Sequence, residues 1–255
     1  MSTRRTIIFA RVSSLIRFSV GFVFVATASI LFAIVALVLL PWRLARIRLC
    51  NLYGHIVGRA FAFFAGATTI VRHRERLAAS MPAIYVANHT SDLDAFLCVW
   101  LCPYGVCGVF KKEIVRVPFY GWLAALSGHL LLDRGNLGRA VESLRETASF
   151  VRRNRLGIWI MPEGTYGEAG ELLPFKKGFV HLAIATGLRV VPVVLKGAHE
   201  SWKTGTLRLM PATIEIDVLP AIETSDWRED RAGEHAAAVR AVFAEALAAG
   251  GATSP

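Results

Sequence analysis

The chain has 255 residues, is 54% hydrophobic, and carries a formal net charge of +10 with a mean hydropathy of +0.47. That is too apolar for an ordinary soluble domain, and its charges are too evenly interspersed for a polytopic membrane protein. The length allows one sizeable α/β domain plus an appendage. The positive charge implies a polyanionic partner, whether an anionic leaflet, a phosphorylated substrate or nucleic acid.

The first 17 residues contain Arg4, Arg5, Arg11 and Arg17 and no acid. Residues 18–40 are free of charge, and 23 residues make a helix of about 34 Å against a hydrocarbon core of about 30 Å. The run is long enough to span. A cleaved signal peptide would have a shorter apolar region and a small-residue cleavage site, whereas Pro41-Trp42-Arg43 follows directly. Arg43, Arg46 and Arg48 nearly balance the arginines on the other side, so flanking charge gives little direction. A second apolar segment, residues 49–71, contains His55 and Arg59 and reads as an amphipathic or interfacial helix. Residues 1–70 are therefore expected to anchor the chain with a membrane-embedded helical pair, 71–250 to form an α/β domain, and 251–255 to fray.

From Thr68 onward, short apolar strands alternate with helices. Strands are expected at residues 83–87, 104–110, 130–132, 156–161, 190–195 and 213–219. Helices are expected from Ser91 to Leu101, over 119–127, 139–154 and 179–186, and over about 234–247. Repeated alternation argues a largely parallel or mixed sheet covered by helices.

The strand at 83–87 delivers Asn88-His89-Thr90-Ser91-Asp92-Leu93-Asp94. Ser91 is a plausible N-cap, and a carboxylate in the first turn suits the helix dipole. One helical turn can bring the His89 imidazole and the Asp94 carboxylate within hydrogen-bond reach. An imidazole held through one ring nitrogen can take a proton on the other, the base-and-orienter half of a triad. No nucleophile accompanies the pair: there is no Gly-x-Ser-x-Gly elbow and no cysteine in a catalytic signature. The activated hydroxyl then belongs to a bound substrate. Taken alone, His89 could also cap a turn and Asp94 could be an ordinary first-turn acid. Cys50, Cys98, Cys102 and Cys107 have no zinc-site spacing and read as reduced core residues facing the cytoplasm.

Three further points fall at strand ends, where α/β folds bind ligands. Arg134 follows residues 130–132, Glu163 stands in the turn Met161-Pro162-Glu163-Gly164-Thr165, and Lys111-Lys112 and Lys176-Lys177 are basic pairs. A guanidinium matches phosphate geometry. Individually, these residues could equally be a surface ion pair, a capping acid and solvated lysines.

In order and spacing the blocks resemble the glycerolipid acyltransferase family typified by bacterial 1-acylglycerol-3-phosphate acyltransferase. The matches are His89 through Asp94, Gly128 with Arg134, Pro162 to Thr165, and Val190-Val191-Pro192-Val193, with Lys111-Lys112-Glu113 and Pro118 to Gly121 similar to the connecting segment. Leu131 stands where the family usually has an aromatic. The resemblance implies direct acyl transfer from acyl-CoA or acyl carrier protein to a glycerolipid hydroxyl, with no further cofactor or metal. It implies His89 as general base, Asp94 as its orienting partner, and Arg134, Glu163, Gly164 and Thr165 as holders of the acceptor's phosphate and glycerol. Tyr166-Gly167 stands where the family has an arginine often followed by serine. Lys111, Lys112, Lys176 or Lys177 would have to supply that charge. The expected acceptor is lysophosphatidate, with another lysophospholipid or a lyso-aminolipid as alternatives. The expected location is the inner membrane with the catalytic domain on its cytoplasmic face. A hydrolase turning the same base on water, and a non-enzymatic basic membrane-surface protein, are the other classes considered. Nucleic acid is not expected, because the basic residues are dispersed and follow no binding motif.

Overall fold

In the computed structural model, which describes residues 2–133, 137–165, 167 and 171–249, two helices open the chain. Helix α1 (Ser2–Val38) and helix α2 (Arg43–Ala65) form an antiparallel hairpin turned at residues 39–42. Arg11–Val38 of α1 has a mean hydropathy of 2.6, and among the described residues this is the one helix long and apolar enough, by length and composition, to cross a membrane.

A seven-stranded sheet follows: β1 (Ala67–Arg72), β2 (Ile84–Ala87), β3 (Val106–Lys111), β4 (Leu130–Leu132), β5 (Gly157–Ile160), β6 (Val190–Lys196) and β7 (Ala212–Val218). Its order is β1-β7-β6-β2-β5-β3-β4, with β6 and β7 antiparallel and the other neighbours parallel. The expected mixed, mostly parallel sheet is present.

Period-two alternation divides the strands between two cores. In β2, Tyr85 and Ala87 face the layer containing α2 and α4 (Asp92–Leu101), and α1 lies outside that layer. Ile84 and Val86 face α6 (Leu137–Asn154), α7 (Gly178–Thr186) and α9 (Ala232–Ala249). The central strand is thus fully buried, which explains its unbroken apolar run. Three short helices complete the fold: α3 (Glu75–Ala79), α5 (Tyr120–Leu126) and α8 (Ala198–Ser201).

The hairpin differs from expectation at its end. The helix expected over residues 49–71 stops at Ala65, because Gly66 takes a left-handed conformation (φ 76°) and the β-branched Thr68, Thr69, Ile70 and Val71 continue as β1. β1 therefore runs across residue 70, and α2 buries Ile47, Tyr53, Val57 and Phe61 in the core. Gly54 and Gly58 set how closely α2 approaches α4. A Cβ on Gly58 would lie 2.2 Å from the Phe96 carbonyl oxygen, and one on Gly54 2.7 Å from that of Val99. Asp94 sits on the helix that α2 clasps, and His89 lies in the loop that leads into it. Arg134, Tyr166 and residues 251–255, which carried expectations above, lie outside the described residues.

Candidate active site

The loop between β2 and α4 leaves the C-terminal edge of the parallel strands, where β3, β5 and β6 also end. Asn88 sits just past β2 and extends its pairing with β6: its amide donates to the Leu195 carbonyl (2.9 Å) and accepts the Leu195 N–H (2.7 Å). Ser91 caps α4 as expected, accepting the Leu93 N–H at 3.1 Å. Asp94 completes a capping box with it.

Three successive peptide N–H groups of this loop point at carboxylates. His89 donates to Glu163 Oε1 (2.7 Å), and Thr90 (2.5 Å) and Ser91 (2.8 Å) donate to Asp94 Oδ2. The same Oδ2 lies 3.4 Å from His89 Nδ1. On the β6 side, Ser91 Oγ donates to the Trp202 carbonyl (2.6 Å), and His199 Nδ1 lies 3.3 Å from the Thr90 carbonyl. The backbone bearing His89 is therefore gripped from both neighbouring strands.

Asp94 is wholly buried, while the His89 side chain is 16% exposed. The Asp94 Oδ1 is buried and has no hydrogen-bond partner among the described residues. A carboxylate stripped of water acts strongly on a nearby imidazolium, because little solvent screens it. His89 Nε2 lies on the edge opposite Asp94, and the residue lines a cavity with Ala95, Cys98, Val99, Lys111, Trp159, Gly164 and Thr165. An apolar cleft between α1, α2 and α4 shares the walls Ala95, Val99 and Ile114.

Among the described residues, no cysteine beside His89 is placed as a nucleophile. All four cysteines are buried and form no disulfide. Burial, and secondarily the Asp94 charge, holds the Cys98 thiol well above its usual range; burial raises Cys102 likewise and pushes Cys107 up to about 11. A protonated thiol is a poor nucleophile. The hydroxyls of the loop serve its own structure, Ser91 as cap and Thr90 Oγ1 at 3.3 Å from Asp94.

A model of the acyltransferase family matches residues 68–196, which hold His89, Asp94, Lys111 and Glu163. A 1-acyl-sn-glycerol-3-phosphate acyltransferase from Cocos nucifera is 39% identical over 92% of this chain and 75% of that protein. One from Escherichia coli (strain K12) is 33% identical over 77% of this chain and 79% of that protein. The chain belongs to the acyltransferase family. It is therefore an O-acyltransferase by descent. The crystal structure of the 1-acyl-sn-glycerophosphate (LPA) acyltransferase PlsC from Thermotoga maritima shares the fold, with a TM-score of 0.78 over 97% of this chain and 98% of that one at 20% identity.

In this acyltransferase the candidate residues separate by geometry. His89, Asp94 and Glu163 meet in one network, and Lys111, Gly164 and Thr165 share the cavity with His89. Glu163, expected to help hold the acceptor, lies behind the His89 loop. It is 2% exposed, and its second oxygen accepts the Leu173 N–H at 2.7 Å. Both oxygens are committed to main chain, so it braces the His89 loop. Burial raises its carboxyl above the usual range, and the two N–H donors limit that rise. Lys112 pairs with Asp133 at 3.2 Å, which leaves Lys111 as the lysine of that pair lining the cavity. His199 and Trp202 were not anticipated. His199 reaches the Thr90 carbonyl with its ring and Trp202 offers its carbonyl to Ser91, from a one-turn helix and the residue after it, which no residue spacing announces.

Proposed function

We propose that the protein transfers an acyl chain from acyl-CoA or acyl carrier protein to the free hydroxyl of 1-acyl-glycerol-3-phosphate, giving phosphatidate. The observation that carries this reading is the rigidly held His89–Asp94 pair beside an apolar cavity whose nearby thiols stay protonated. His89 Nε2 takes the proton of the acceptor hydroxyl as its oxygen attacks the thioester carbonyl. Collapse of the tetrahedral intermediate breaks the C–S bond, and the imidazolium returns the proton to the departing thiolate. Asp94 steadies the transient positive charge, and Glu163 fixes the peptide from which the ring projects. Lys111, with Gly164, Thr165 and Arg134, would receive the acceptor's phosphate and glycerol. The names of the relatives favour lysophosphatidate among possible acceptors.

A lipid acceptor stays in its bilayer, so the enzyme must sit there too. The exposed apolar side chains of α1, among them Val23, Leu31, Ile34 and Val38, together with Phe63 of α2, suit contact with acyl chains. The location we propose is the inner membrane, with the α/β domain on its cytoplasmic face.

The deciding experiment is transfer of labelled acyl groups by purified, detergent-solubilised protein. Lysophosphatidate, other lysophospholipids and a lyso-aminolipid are offered in parallel with each donor. His89→Ala should reduce turnover by roughly 10² to 10⁴-fold while leaving the protein folded, and Asp94→Asn should come close to it. Near wild-type turnover in His89→Ala would overturn the mechanism, and release of free fatty acid without acceptor would favour hydrolysis.

A further inference from the structure

Helix α2 begins with its charges the wrong way round. Its first six residues include Arg43, Arg46 and Arg48, and its first turn contains no acid. Cations at a helix N-terminus oppose the helix dipole, so another interaction must offset their placement. Two of them reach across to the turn between α5 and β4. Arg43 Nε donates to the Gly128 carbonyl at 2.8 Å, and Arg46 Nη1 donates to the Leu126 carbonyl at 2.5 Å. The Arg43 guanidinium also lies 4.1 Å from the centre of the Phe150 ring on α6.

The contact is close as well as polar. Gly128 adopts φ 76°, and a Cβ there would lie 3.0 Å from Arg43 Cγ and 3.2 Å from the Arg43 carbonyl oxygen. From this turn a continuous set of contacts leads to the cavity. Ser127 Oγ accepts the His129 N–H (3.2 Å), and His129 Nδ1 accepts the N–H of Gly108 (3.1 Å). Gly108 lies on β3 three residues before Lys111, and β4 pairs with β3 in the register Val109↔Leu130, Phe110↔Leu131, Lys111↔Leu132. His129 and Lys111 both line the cavity of His89.

We propose that Arg43 and Arg46 are positioning residues for the phosphate-bearing acceptor. They tie the hairpin to the turn at residues 126–128, and through His129 and β4 they set the distance between Lys111 and His89. This rests on the proposed function, in which the Lys111 edge receives the acceptor's phosphate. Neither arginine touches the reacting atoms. Their loss should weaken the acceptor and spare the chemical step.

The test is steady-state kinetics in mixed micelles on the wild type, Arg43→Ala, Arg43→Gln, Gly128→Ala and the double variant Arg43→Ala/Gly128→Ala, with thermal unfolding measured alongside. We expect Arg43→Ala to raise the KM for lysophosphatidate about tenfold, with kcat and donor KM changing less than about threefold, the scale of one hydrogen bond. Arg43→Gln keeps an N–H donor toward the Gly128 carbonyl and should recover most of the loss. Gly128→Ala, which crowds Arg43 and strains the left-handed backbone, should reproduce the defect, and the double variant should lose less than the sum of the two single changes, because both act on one contact. An unchanged acceptor KM in Arg43→Ala would overturn the proposal. So would an equal fall in all parameters that tracks lost thermal stability and is not recovered by Arg43→Gln. Both of these require an active wild type. A wild type that does not acylate lysophosphatidate would instead refute the proposed function, and this inference with it.

Discussion

The main-chain N–H of His89 donates to Oε1 of Glu163 at 2.7 Å, so the peptide carrying the proposed base is fixed by a residue 74 positions later in the chain. The other Glu163 oxygen holds the Leu173 N–H, which joins the segment after β5 to the loop after β2 through one carboxylate. Glu163→Gln should break this symmetry. An amide has one acceptor oxygen, so one of two buried N–H groups loses its partner, at about 1–3 kcal/mol. A small displacement of the ring then reduces kcat by roughly tenfold to a hundredfold, with little change in donor KM. Steady-state kinetics and a thermal melt on the same preparation check both halves. Wild-type kcat in Glu163→Gln would mean that the brace is not needed for catalysis.

Gly58→Ala should destabilise the protein although it adds a single methyl group in a helix. The new Cβ would stand 2.2 Å from the Phe96 carbonyl oxygen and 2.8 Å from Trp100 Cβ. Main chain cannot swing aside as a side-chain end can, so α2 must move off α4, at a cost of about 1–3 kcal/mol. Because α4 carries Asp94, activity should fall with stability. Thermal unfolding in detergent tests this, and an unchanged Tm would show that the two helices have slack.

Much of this arrangement was legible in the residues themselves. The run at 83–87 announced a buried strand because Ile84, Tyr85 and Val86 all face packed layers, and Ser91 announced the cap that begins α4. The proximity of His89 to Asp94 followed from one helical turn. What stayed hidden depends on strand order. Glu163 meets His89 because β5 lies beside β2, and Trp202 meets Ser91 because β6 lies on the other side. Neither adjacency is encoded locally. The end of α2 differs for the opposite reason: residues 67–71 continue an uncharged stretch, and the left-handed Gly66 with the β-branched residues after it marks the change from helix to strand.

The outward face of α1 should govern membrane attachment. Val23, Leu31 and Val38 are 62%, 58% and 71% exposed, so the fold does not depend on burying them. A triple change to glutamate places three charges on that face, each disfavoured at a bilayer centre by roughly 2.5–3.5 kcal/mol. The wild type should sediment with membranes and resist alkaline carbonate, whereas the triple variant should move to the soluble fraction with its circular dichroism unchanged. Continued sedimentation of the variant would assign attachment to another surface.

His129 should make the protein sensitive to mild acid. Burial, with the Arg43 charge adding to it, pushes its pKa from 6.5 down to about 4, and Nδ1 must stay unprotonated to accept the Gly108 N–H. Between those values the unfolded chain binds a proton that the folded one refuses. The resulting stability is complete above pH 6.5 and is lost as the pH falls toward 4. Each pH unit in that interval is worth about 1.4 kcal/mol, but the ring edge borders the cavity, where solvent relieves part of the burial, so the loss should be about 1–3 kcal/mol. Burial raises the Glu163 carboxyl, which acts with the opposite sign, so the informative quantity is a difference between proteins. His129→Gln can still accept the Gly108 N–H but cannot titrate. Denaturant unfolding of both proteins at several pH values from neutral down to about 4 should show the wild type losing stability faster on acidification. Parallel curves would mean that the folded ring takes its proton as readily as a free histidine, and that the link between Gly128 and β3 does not require it neutral.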